Sequence, residues 1–450
     1  MKKIRIGCGS GGCSYERFEP TTELIEKGSL DYLVFECLAE RTIADAQQEK
    51  IRDPQRGYNP QLEPRMRRFL KPAFERGIKI ISNMGAANTP KAVEKICEIA
   101  RELGISGMKI AMVQGDDILD RLARYSDVPL WDRKVPLKTL DGTVVSANAY
   151  LSGDPICEAL DNGADIVITG RVADPALFVG PLKHEFRWTA SQNHLMGQAI
   201  LLGHLLECAG QLTGGFYADP GRKDVPDLHR LGFPIAEIDE TGDFFVTKVA
   251  GSGGTVCESV CREQLLYEIG DPSCYITPDG IADFSKVTFT TLEKDKVLVQ
   301  NASSKGEPDT YKVNVGYQDC FIGDASLSFG GSNALARAQL CADIVEKRLD
   351  LIGVHPEEYR VDFIGYNSLY KNAISKIITP VVSSEIRLRI CARTKTQEEA
   401  LAVVREIQCM YTNGPAGSSG IDYEVRRVVS VENILVPRAD VPWTVSYCEV

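Results

Sequence analysis

The chain has 450 residues, of which 44% are hydrophobic and 25% charged, and its formal net charge at pH 7 is −11. This composition is typical of a globular protein with two or three domains, and the negative charge argues against a nucleic-acid partner. No apolar run approaches the ~18 residues of a membrane span, and the N-terminal sequence MKKIRIGCGSGG lacks the apolar segment of a signal peptide. We therefore expect a cytoplasmic protein with no membrane partner, whose 14 scattered cysteines are mostly reduced and packed in the core.

The first half of the chain alternates short apolar strands with amphipathic helices, which predicts an α/β fold with a largely parallel, doubly wound sheet. Apolar periodicity predicts helices over residues 61–75 and 89–103. The predicted strands cover residues 4–7, 32–35, 78–82, 109–113 and 166–169. Each strand runs into a polar or glycine-containing loop, and in a parallel sheet such loops meet at one edge and form the site.

Residues 236–330 alternate in hydrophobicity as antiparallel strands do. The dipeptides Thr-Gly at 241–242 and Lys-Asp at 294–295 fit hairpin turns between such strands. The pattern predicts a β-rich insertion in a large first domain that covers residues 1–352.

The C-terminal part of the chain reads as a second, smaller domain. A helical pattern over 332–349 is interrupted by the glycine and proline of the sequence GVHP at 353–356. A strand, a helix and a strand are then predicted over 385–393, 396–410 and 423–429. This order is typical of a small α+β domain of the ferredoxin-like kind, which we place at residues 356–450.

Charged residues follow the predicted strand at 32–35 directly, with no turn residue between them. Glu36 lies at the strand end, where burial and neighbouring charges together set the pKa of an acid–base group. Glu40 and Arg41 either join the site or form the first turn of a helix, whose dipole favours acidic residues. We predict that Glu36 and Glu40 are catalytic and that Arg41 binds the substrate.

Two further loops carry candidate polar groups. Asn83 and Asn88 lie among small residues that permit close approach of a ligand, and the alternative for Asn88 is a helix cap. Arg171 and Asp174 follow a buried strand, and the alternative for them is a structural ion pair. Because arginine can bind a carboxylate through two hydrogen bonds, we predict Arg171, Asn83 and Asn88 as substrate-binding and Asp174 as catalytic.

Motifs of common enzyme classes are absent from the sequence. It contains no GxSxG or HExxH and no Walker lysine, so a serine hydrolase, a zinc protease or a nucleotide kinase lacks support, and no metal site is predicted. The acids of QGDD at 114–117 suit either a cation or a turn. Cys8, Cys13 and Cys37 are the candidate thiolates for an iron–sulfur cluster, which leaves the cofactor open.

The polar loop 213–227 is the candidate for a flexible lid. It is rich in Asp, Lys, Tyr and Gly, and surface loops of this kind frequently carry binding residues. We predict that Lys223 reaches the ligand from this loop, and the alternative is an ordinary solvated loop.

Longer motifs occur in the same order along almost the whole chain: DYLVFECLAERTIA, NMGAAN, NAYLSGDPI, GADIVITGRVADPAL, TGGFYADPGRKDVP and YTNGPAG. Together they resemble the acyclic terpene utilisation (AtuA) family. The resemblance implies an AtuA-type N-terminal domain followed by a ferredoxin-like C-terminal domain. This chain departs from the family at one position: family members more often carry Gly-Asp-Arg where it has Glu16-Arg17. If Glu16-Arg17 is the equivalent pair, the resemblance implies an anion-binding role for Arg17.

The resemblance also implies a class of function, because the family is named for pathways that degrade citronellol- and geraniol-type skeletons through CoA thioesters. We expect a catabolic enzyme that acts on a branched carboxylic acid or its acyl-CoA thioester. Acid–base hydration–dehydration or isomerisation is the expected reaction, which would make the protein a lyase or an isomerase. The alternative is a non-catalytic protein that binds an acyl intermediate for a carboxylase or hydratase. In both cases we expect a homo-oligomer.

Overall fold

The computed structural model describes residues 2–12, 15–378 and 383–450. The strands are β1 (Lys3–Ser10), β2 (Tyr32–Phe35), β3 (Lys79–Ser82), β4 (Lys109–Gln114), β5 (Thr143–Ala149), β6 (Ile166–Ile168), β7 (Pro234–Asp239), β8 (Phe244–Lys248), β9 (Tyr275–Thr277), β10 (Gly280–Asp283), β11 (Thr288–Glu293), β12 (Lys296–Gln300), β13 (Ser303–Ser304), β14 (Thr310–Gly330), β15 (Glu358–Ile364), β16 (Glu385–Thr394), β17 (Ser418–Pro437) and β18 (Thr444–Glu449).

The α-helices alternate with these strands along most of the chain. They are α1 (Glu19–Lys27), α2 (Glu40–Arg52), α3 (Leu62–Phe74), α4 (Thr89–Glu102), α5 (Asp154–Asp161), α6 (Ala176–Phe186), α7 (Asn193–Leu206), α8 (Glu258–Leu266), α9 (Ala334–Ile352), α10 (Lys371–Ile378) and α11 (Gln397–Asn413). Short 3-10 helices cover Leu119–Tyr125, Leu137–Thr139, Ala209–Thr213, Leu228–Arg230 and Arg438–Asp440. In the part of the chain that the structure describes, no helix has both the length and the apolar character needed to cross a membrane.

The largest sheet belongs to a first compact unit, made of Met1–Leu140, Val145–Gly316 and Val431–Val450. Its strand order is β11-β12-β8-β7-β1-β2-β3-β6-β4-β18. The central neighbours β1, β2, β3, β6 and β4 pair in parallel, whereas the strands on both sides pair antiparallel. The sheet is therefore mixed, and the prediction of a largely parallel sheet holds only for its centre.

The centre of this sheet forms from short apolar runs that are buried on both faces. The sequences YLVF of β2 and IVI of β6 are buried throughout, as expected for parallel strands covered by helices. The bounds of the five central strands confirm the strands predicted from the first half of the sequence. Their carboxyl ends lead into the loops in which candidate polar residues were predicted.

The β-rich segment 236–330 contributes strands to more than one sheet. Strands β7, β8, β11 and β12 extend the large sheet beyond β1, and β9, β10 and β13 form a separate three-stranded sheet. The two predicted turns are present, with Gly242 at φ +88° and Asp295 at φ +57°. Sequence alternation identifies antiparallel strands, but it does not identify the sheet that they join, because the partner strand lies far away in sequence.

A second compact unit consists of Asp141–Val144 and Tyr317–Ser430. Its elements follow the order strand β14, helix α9, strands β15 and β16, helix α11 and strand β17, with α10 between β15 and β16. Apolar side chains of α9 and α11 pack on β14 and β16 to form its core. Helix α9 ends at the predicted break, with Gly353 in the left-handed conformation at φ +69°. The predicted domain boundary between residues 352 and 356 stays a prediction.

Candidate functional site

A cavity of about 660 Å³ lies in the first unit, which is the size of a typical small-molecule site. The loops after β2, β5 and β6 supply part of its wall, and the region around β9 and β10 supplies another part. Aromatic and aliphatic side chains and prolines form most of the rest. The charged residues of the wall are Glu40, Arg171, Asp174, Glu268 and Lys312.

Arg171 is the most firmly held of these charged groups, since only 2% of it is exposed. Its backbone N–H donates to Oδ2 of Asp116 at 2.9 Å. Its Nη1 donates to the carbonyl oxygen of Leu38 and lies 3.1 Å from Oδ1 of Asp174. The guanidinium carbon lies 4.0 Å from the ring centre of Tyr150, a cation–π contact. These contacts fix the direction in which Arg171 points.

Asp174 lies beside Arg171 on the wall of the cavity, and a third of its side chain is exposed. Burial raises the pKa of Asp174, and the positive charge of Arg171 acts in the opposite direction. A carboxyl group with a raised pKa in a cleft is a candidate for exchanging a proton with a ligand.

Glu40 begins helix α2 and carries its charge into the same cavity. Its Oε1 accepts a hydrogen bond from the Tyr150 hydroxyl at 2.8 Å and another from Nζ of Lys312 at 2.5 Å. Burial opposes ionisation of Glu40, but the hydrogen bond and charge of Lys312 hold its pKa below the usual value. Glu40 is therefore an ionised partner of Lys312.

Glu36 is buried and is not part of the cavity wall formed by the described residues. Its carboxylate accepts hydrogen bonds from the backbone N–H of Leu38 at 2.9 Å, from Nδ2 of Asn83 at 3.0 Å and from the backbone N–H of Gly12. Burial raises the pKa of Glu36 to about 8, and the charge of Asp174 adds to the rise. Glu36 thus connects, through hydrogen bonds, the loops that follow β1, β2 and β3.

Asn83 completes this buried arrangement. It has no exposed surface, and its Oδ1 accepts from the backbone N–H of Cys37 at 2.7 Å while its Nδ2 donates to Glu36. Because Leu38 contacts both Glu36 and Arg171 through its backbone, the structure brings these predicted residues into one connected group.

The other predicted binding residues lie apart from this group. Asn88 is buried and donates to two backbone carbonyls of the loop before α3, at 3.0 and 2.6 Å. Arg17 is exposed and donates to two carbonyls of the 3-10 helix before β7, both at 3.0 Å. Lys223 forms an ion pair with an acidic residue of α8, and Arg41 is exposed on α2.

The acids of the QGDD motif have a structural use. Asp116 accepts hydrogen bonds from Arg171 N and from Nδ2 of Asn148, both at 2.9 Å, and burial raises the pKa of Asp116 to about 6. A Cβ on Gly170 would come within 2.5 Å of Asp116, so a side chain there would displace this carboxylate. The motif therefore orients Arg171.

The cysteines predicted as cluster ligands are only partly described, because Cys13 lies outside the described residues. The thiols of Cys8 and Cys37 are buried and contact Ser10, at 3.0 Å to its carbonyl oxygen and 3.4 Å to its hydroxyl. Burial raises the pKa of both thiols. Within residues 2–12, 15–378 and 383–450, no group of three or more His, Cys, Asp and Glu side chains could hold a metal ion.

A buried histidine–carboxyl pair lies at the end of α7. Nε2 of His204 lies 3.1 and 3.2 Å from the carbonyl oxygens of Gln264 and Leu265, so this nitrogen carries a hydrogen. Nδ1 lies 3.1 Å from Oε1 of Glu207. Because two hydrogen-bond acceptors cannot form a hydrogen bond with each other, one of these two atoms must carry a proton. Burial lowers the pKa of His204 to about 4 and raises that of Glu207, so the proton belongs to Glu207.

This pair adjoins the cavity through an aromatic side chain. The His204 ring lies 5.2 Å from the ring of Tyr275, which lines the cavity. The second oxygen of Glu207, Oε2, is buried and has no hydrogen-bond partner among the described residues. The sequence HLLEC places His204 and Glu207 on one helix face, but a lone histidine in an apolar helix usually indicates core packing.

Sequence reasoning did not predict several other residues of the wall, among them Tyr150, Glu268 and Lys312. Tyr150 occurs in the quoted motif NAYLSGDPI, so a signal was present. Glu268 adopts φ +59°, a conformation that is rare outside glycine and is found at functional sites, but φ cannot be read from a sequence. Lys312 is one of several polar residues in the alternating strand β14, and nothing in the sequence distinguishes it as a site residue.

Comparison with known families gives one match. The model of the family described as "Acyclic terpene utilisation family protein AtuA" matches residues 4–447. The comparisons with curated proteins and with solved structures found no match. The family match covers nearly the whole chain and confirms the resemblance seen in the sequence motifs.

Proposed function

Because the chain belongs to the acyclic terpene utilisation (AtuA) family, we propose that it is an enzyme acting on a branched carboxylic acid or its CoA thioester. One observation carries the proposal: Arg171 and Asp174 lie 3.1 Å apart at the wall of one cavity. A guanidinium can bind a carboxylate or a developing oxyanion, while the acid beside it moves a proton. The buried Nε of Arg171 has no hydrogen-bond partner among the described residues.

The reaction that fits this pair is isomerisation or hydration–dehydration by acid–base catalysis. Asp174 removes a proton from the carbon next to the acyl carbonyl, and Arg171 offsets the negative charge that develops on the carbonyl oxygen. In isomerisation, Asp174 returns the proton to another carbon. In dehydration, Glu268 on the same wall protonates the hydroxyl group that leaves as water.

The remaining predicted residues support these two. Glu40 holds Lys312 at the cavity wall, where the ammonium group attracts an anionic substrate. Glu36 and Asn83 position the loop that carries Leu38, and Leu38 in turn contacts Arg171. The binding roles of Arg17, Arg41, Asn88 and Lys223 stay predictions, to which this proposal assigns no step.

Proton transfer can be tested without knowing the exact substrate. Purified protein is incubated in D₂O with a panel of unsaturated branched acids and their CoA thioesters, and deuterium incorporation and product formation are followed by NMR. We expect deuterium next to the carbonyl of at least one compound, and we expect Asp174→Asn to abolish it. Tight binding of a compound without exchange or turnover would contradict the enzyme and support the alternative, a protein that binds an acyl intermediate.

We also infer a ferredoxin-like fold for the C-terminal part of the chain. The strand–helix–strand–strand–helix–strand order of the second unit supports it, and this order includes β14 and α9, which precede the predicted domain at 356–450. Limited proteolysis tests the boundary. Fragments of roughly 350 and 100 residues would support a domain at 356–450, because exposed junctions are cut first, whereas a resistant fragment that begins near residue 317 would support the longer domain.

A further inference from the structure

Two cysteines that are far apart in sequence meet on the first unit. The sulfur atoms of Cys97 on α4 and Cys448 on β18 lie 2.8 Å apart, although the two residues are 351 positions apart. Cys97 is 3% exposed, whereas Cys448 is half-buried and accessible to a small reagent. Both thiols are free in this structure.

Each cysteine belongs to an element that is held in place by its neighbours. Strand β18 pairs with β4 in an antiparallel ladder in which Cys448 lies opposite Ile110. Helix α4 packs against both β4 and β18, and the residues of α4 around Cys97 are buried. The two sulfur atoms are therefore neighbours because of the fold, not because of a mobile side chain at a loop tip.

We propose that Cys97 and Cys448 form a redox modification site that takes a low-molecular-weight disulfide of the glutathione type. The Cys448 thiolate attacks one sulfur of this disulfide, which releases one small thiol and leaves a mixed disulfide on Cys448. The Cys97 thiolate then attacks the Cys448 sulfur and releases the second small thiol. The protein loses two thiol protons and two electrons, and the small disulfide becomes two thiols.

The environment of Cys97 sets the rate of the second step. Burial, together with the adjacent Cys448 thiol, raises the pKa of Cys97 to about 12. Since the thiolate is the attacking form, ring closure at neutral pH is slow and becomes faster as the pH rises.

The cross-link would secure the edge of the sheet next to the site. A Cβ on Gly115, just after β4, would come within 2.4 Å of the Pro442 carbonyl oxygen, so the segment before β18 covers this turn closely. The next residue is Asp116, which holds the backbone of Arg171. The inference itself rests on the two sulfur atoms and is independent of the proposed reaction.

Peptide mapping of the full-length protein tests the site. The protein is incubated with oxidised or with reduced glutathione, free thiols are alkylated, and the digest is analysed by mass spectrometry without reduction. We expect one cross-linked pair of peptides, containing Cys97 and Cys448, only after oxidised glutathione. Recovery of Cys97 in the alkylated form after prolonged oxidation at pH 8.5 would overturn the proposal.

Single variants separate the two steps. In Cys97→Ser, Cys448 should accumulate one bound glutathione, because the closing thiol is missing. Cys448→Ser should form no cross-link and should leave Cys97 unmodified, and Cys274→Ser, which removes an exposed thiol elsewhere, should cross-link as the wild type does. Oxidation should raise the midpoint of thermal unfolding of the wild type and of Cys274→Ser, but not of Cys448→Ser. A Cys448 that stays unmodified in Cys97→Ser would contradict the exchange mechanism.

Discussion

The carboxyl groups around Arg171 fall into two sets with different surroundings. The inner carboxyls are buried and bonded to protein groups, and they are Glu36, Asp116 and Glu207. The cavity carboxyls line the cavity, and they are Glu40, Asp174 and Glu268. Burial raises the pKa of every inner carboxyl, whereas the cavity set includes Glu40, whose pKa lies below its usual value.

The difference shows that a raised pKa does not by itself mark a carboxyl group that a ligand in the cavity can reach. Glu36 has a pKa of about 8, but three hydrogen bonds from protein N–H groups occupy its oxygens. Asp174 combines a raised pKa with a place on the cavity wall. Contact with the cavity therefore separates a group that can exchange a proton with a ligand from a group that organises the loops.

The largest effect is expected from Arg171→Met, because the buried Arg171 side chain donates to the Leu38 carbonyl oxygen and forms an ion pair with Asp174. Removing one partner of a buried ion pair leaves uncompensated charge, so the free energy of unfolding should fall by about 3–5 kcal/mol. Denaturant unfolding of the variant and of Arg41→Met, a matched change at an exposed arginine, measures this difference. Equal free energies of unfolding for the two variants would mean that the Arg171 side chain does not stabilise the arrangement of carboxyl groups around it.

Asp174→Asn should have the next largest effect and should act on turnover. The amide keeps the shape of the side chain but cannot accept a proton, so kcat should fall by about 100-fold or more. The control is Asp120→Asn, which changes an exposed aspartate outside the cavity and should leave kcat unchanged. If Asp174→Asn kept the wild-type kcat, Asp174 would not transfer a proton in the reaction, and contact with the cavity would no longer distinguish the two sets of carboxyls.

Glu36→Gln should affect stability more than turnover, and the effect should depend on pH. The folded-state pKa of about 8 lies above the usual 4.5, so the folded protein holds this proton more tightly than the unfolded chain does. Stability from this group is full below about pH 4.5 and is lost as the pH rises through 8, and glutamine does not titrate. The stability advantage of the wild type over Glu36→Gln should therefore shrink from pH 5 to pH 8.

Thermal unfolding of both proteins at pH 5, 6.5 and 8 measures this trend. Asn83→Ala, which removes a neutral partner of Glu36, should lower the unfolding temperature but should keep the decline in stability between pH 5 and 8. We expect kcat of Glu36→Gln to stay within about tenfold of the wild type, well above that of Asp174→Asn. A loss of kcat as large as that of Asp174→Asn, with unchanged stability, would show that Glu36 acts in the chemical step.

The smallest effect is expected from Lys312→Met. Because 41% of the Lys312 side chain is exposed, its ion pair with Glu40 is screened by water. The KM for an anionic substrate should rise by about fivefold or less, with kcat unchanged. Lys305→Met, at a lysine outside the cavity wall, should leave KM unchanged. A large fall in kcat of Lys312→Met would show that Lys312 acts in the chemical step.

Local sequence patterns were sufficient for the centre of the fold and for part of the site. Glu40, Arg171 and Asp174 follow central strands, and the carboxyl ends of parallel strands meet at one edge, so their meeting could be predicted. Lys312 reaches the cavity from β14 and Glu268 from the segment before β9, and neither placement follows from local pattern. The two hydrogen bonds that the Asn88 amide donates to backbone carbonyls could not be predicted either, because they depend on how a distant loop packs.

The pairing of β18 with β4 has a consequence for how the protein forms during synthesis. The ribosome makes β4 early, but its edge partner emerges only after most of the intervening chain. Until then β4 presents an unpaired edge, and such edges recruit strands of other chains. A nascent chain stalled before residue 444 should therefore depend on chaperones that shield exposed sheet edges, and a fusion that delays release of the C-terminus should aggregate more than an N-terminal fusion.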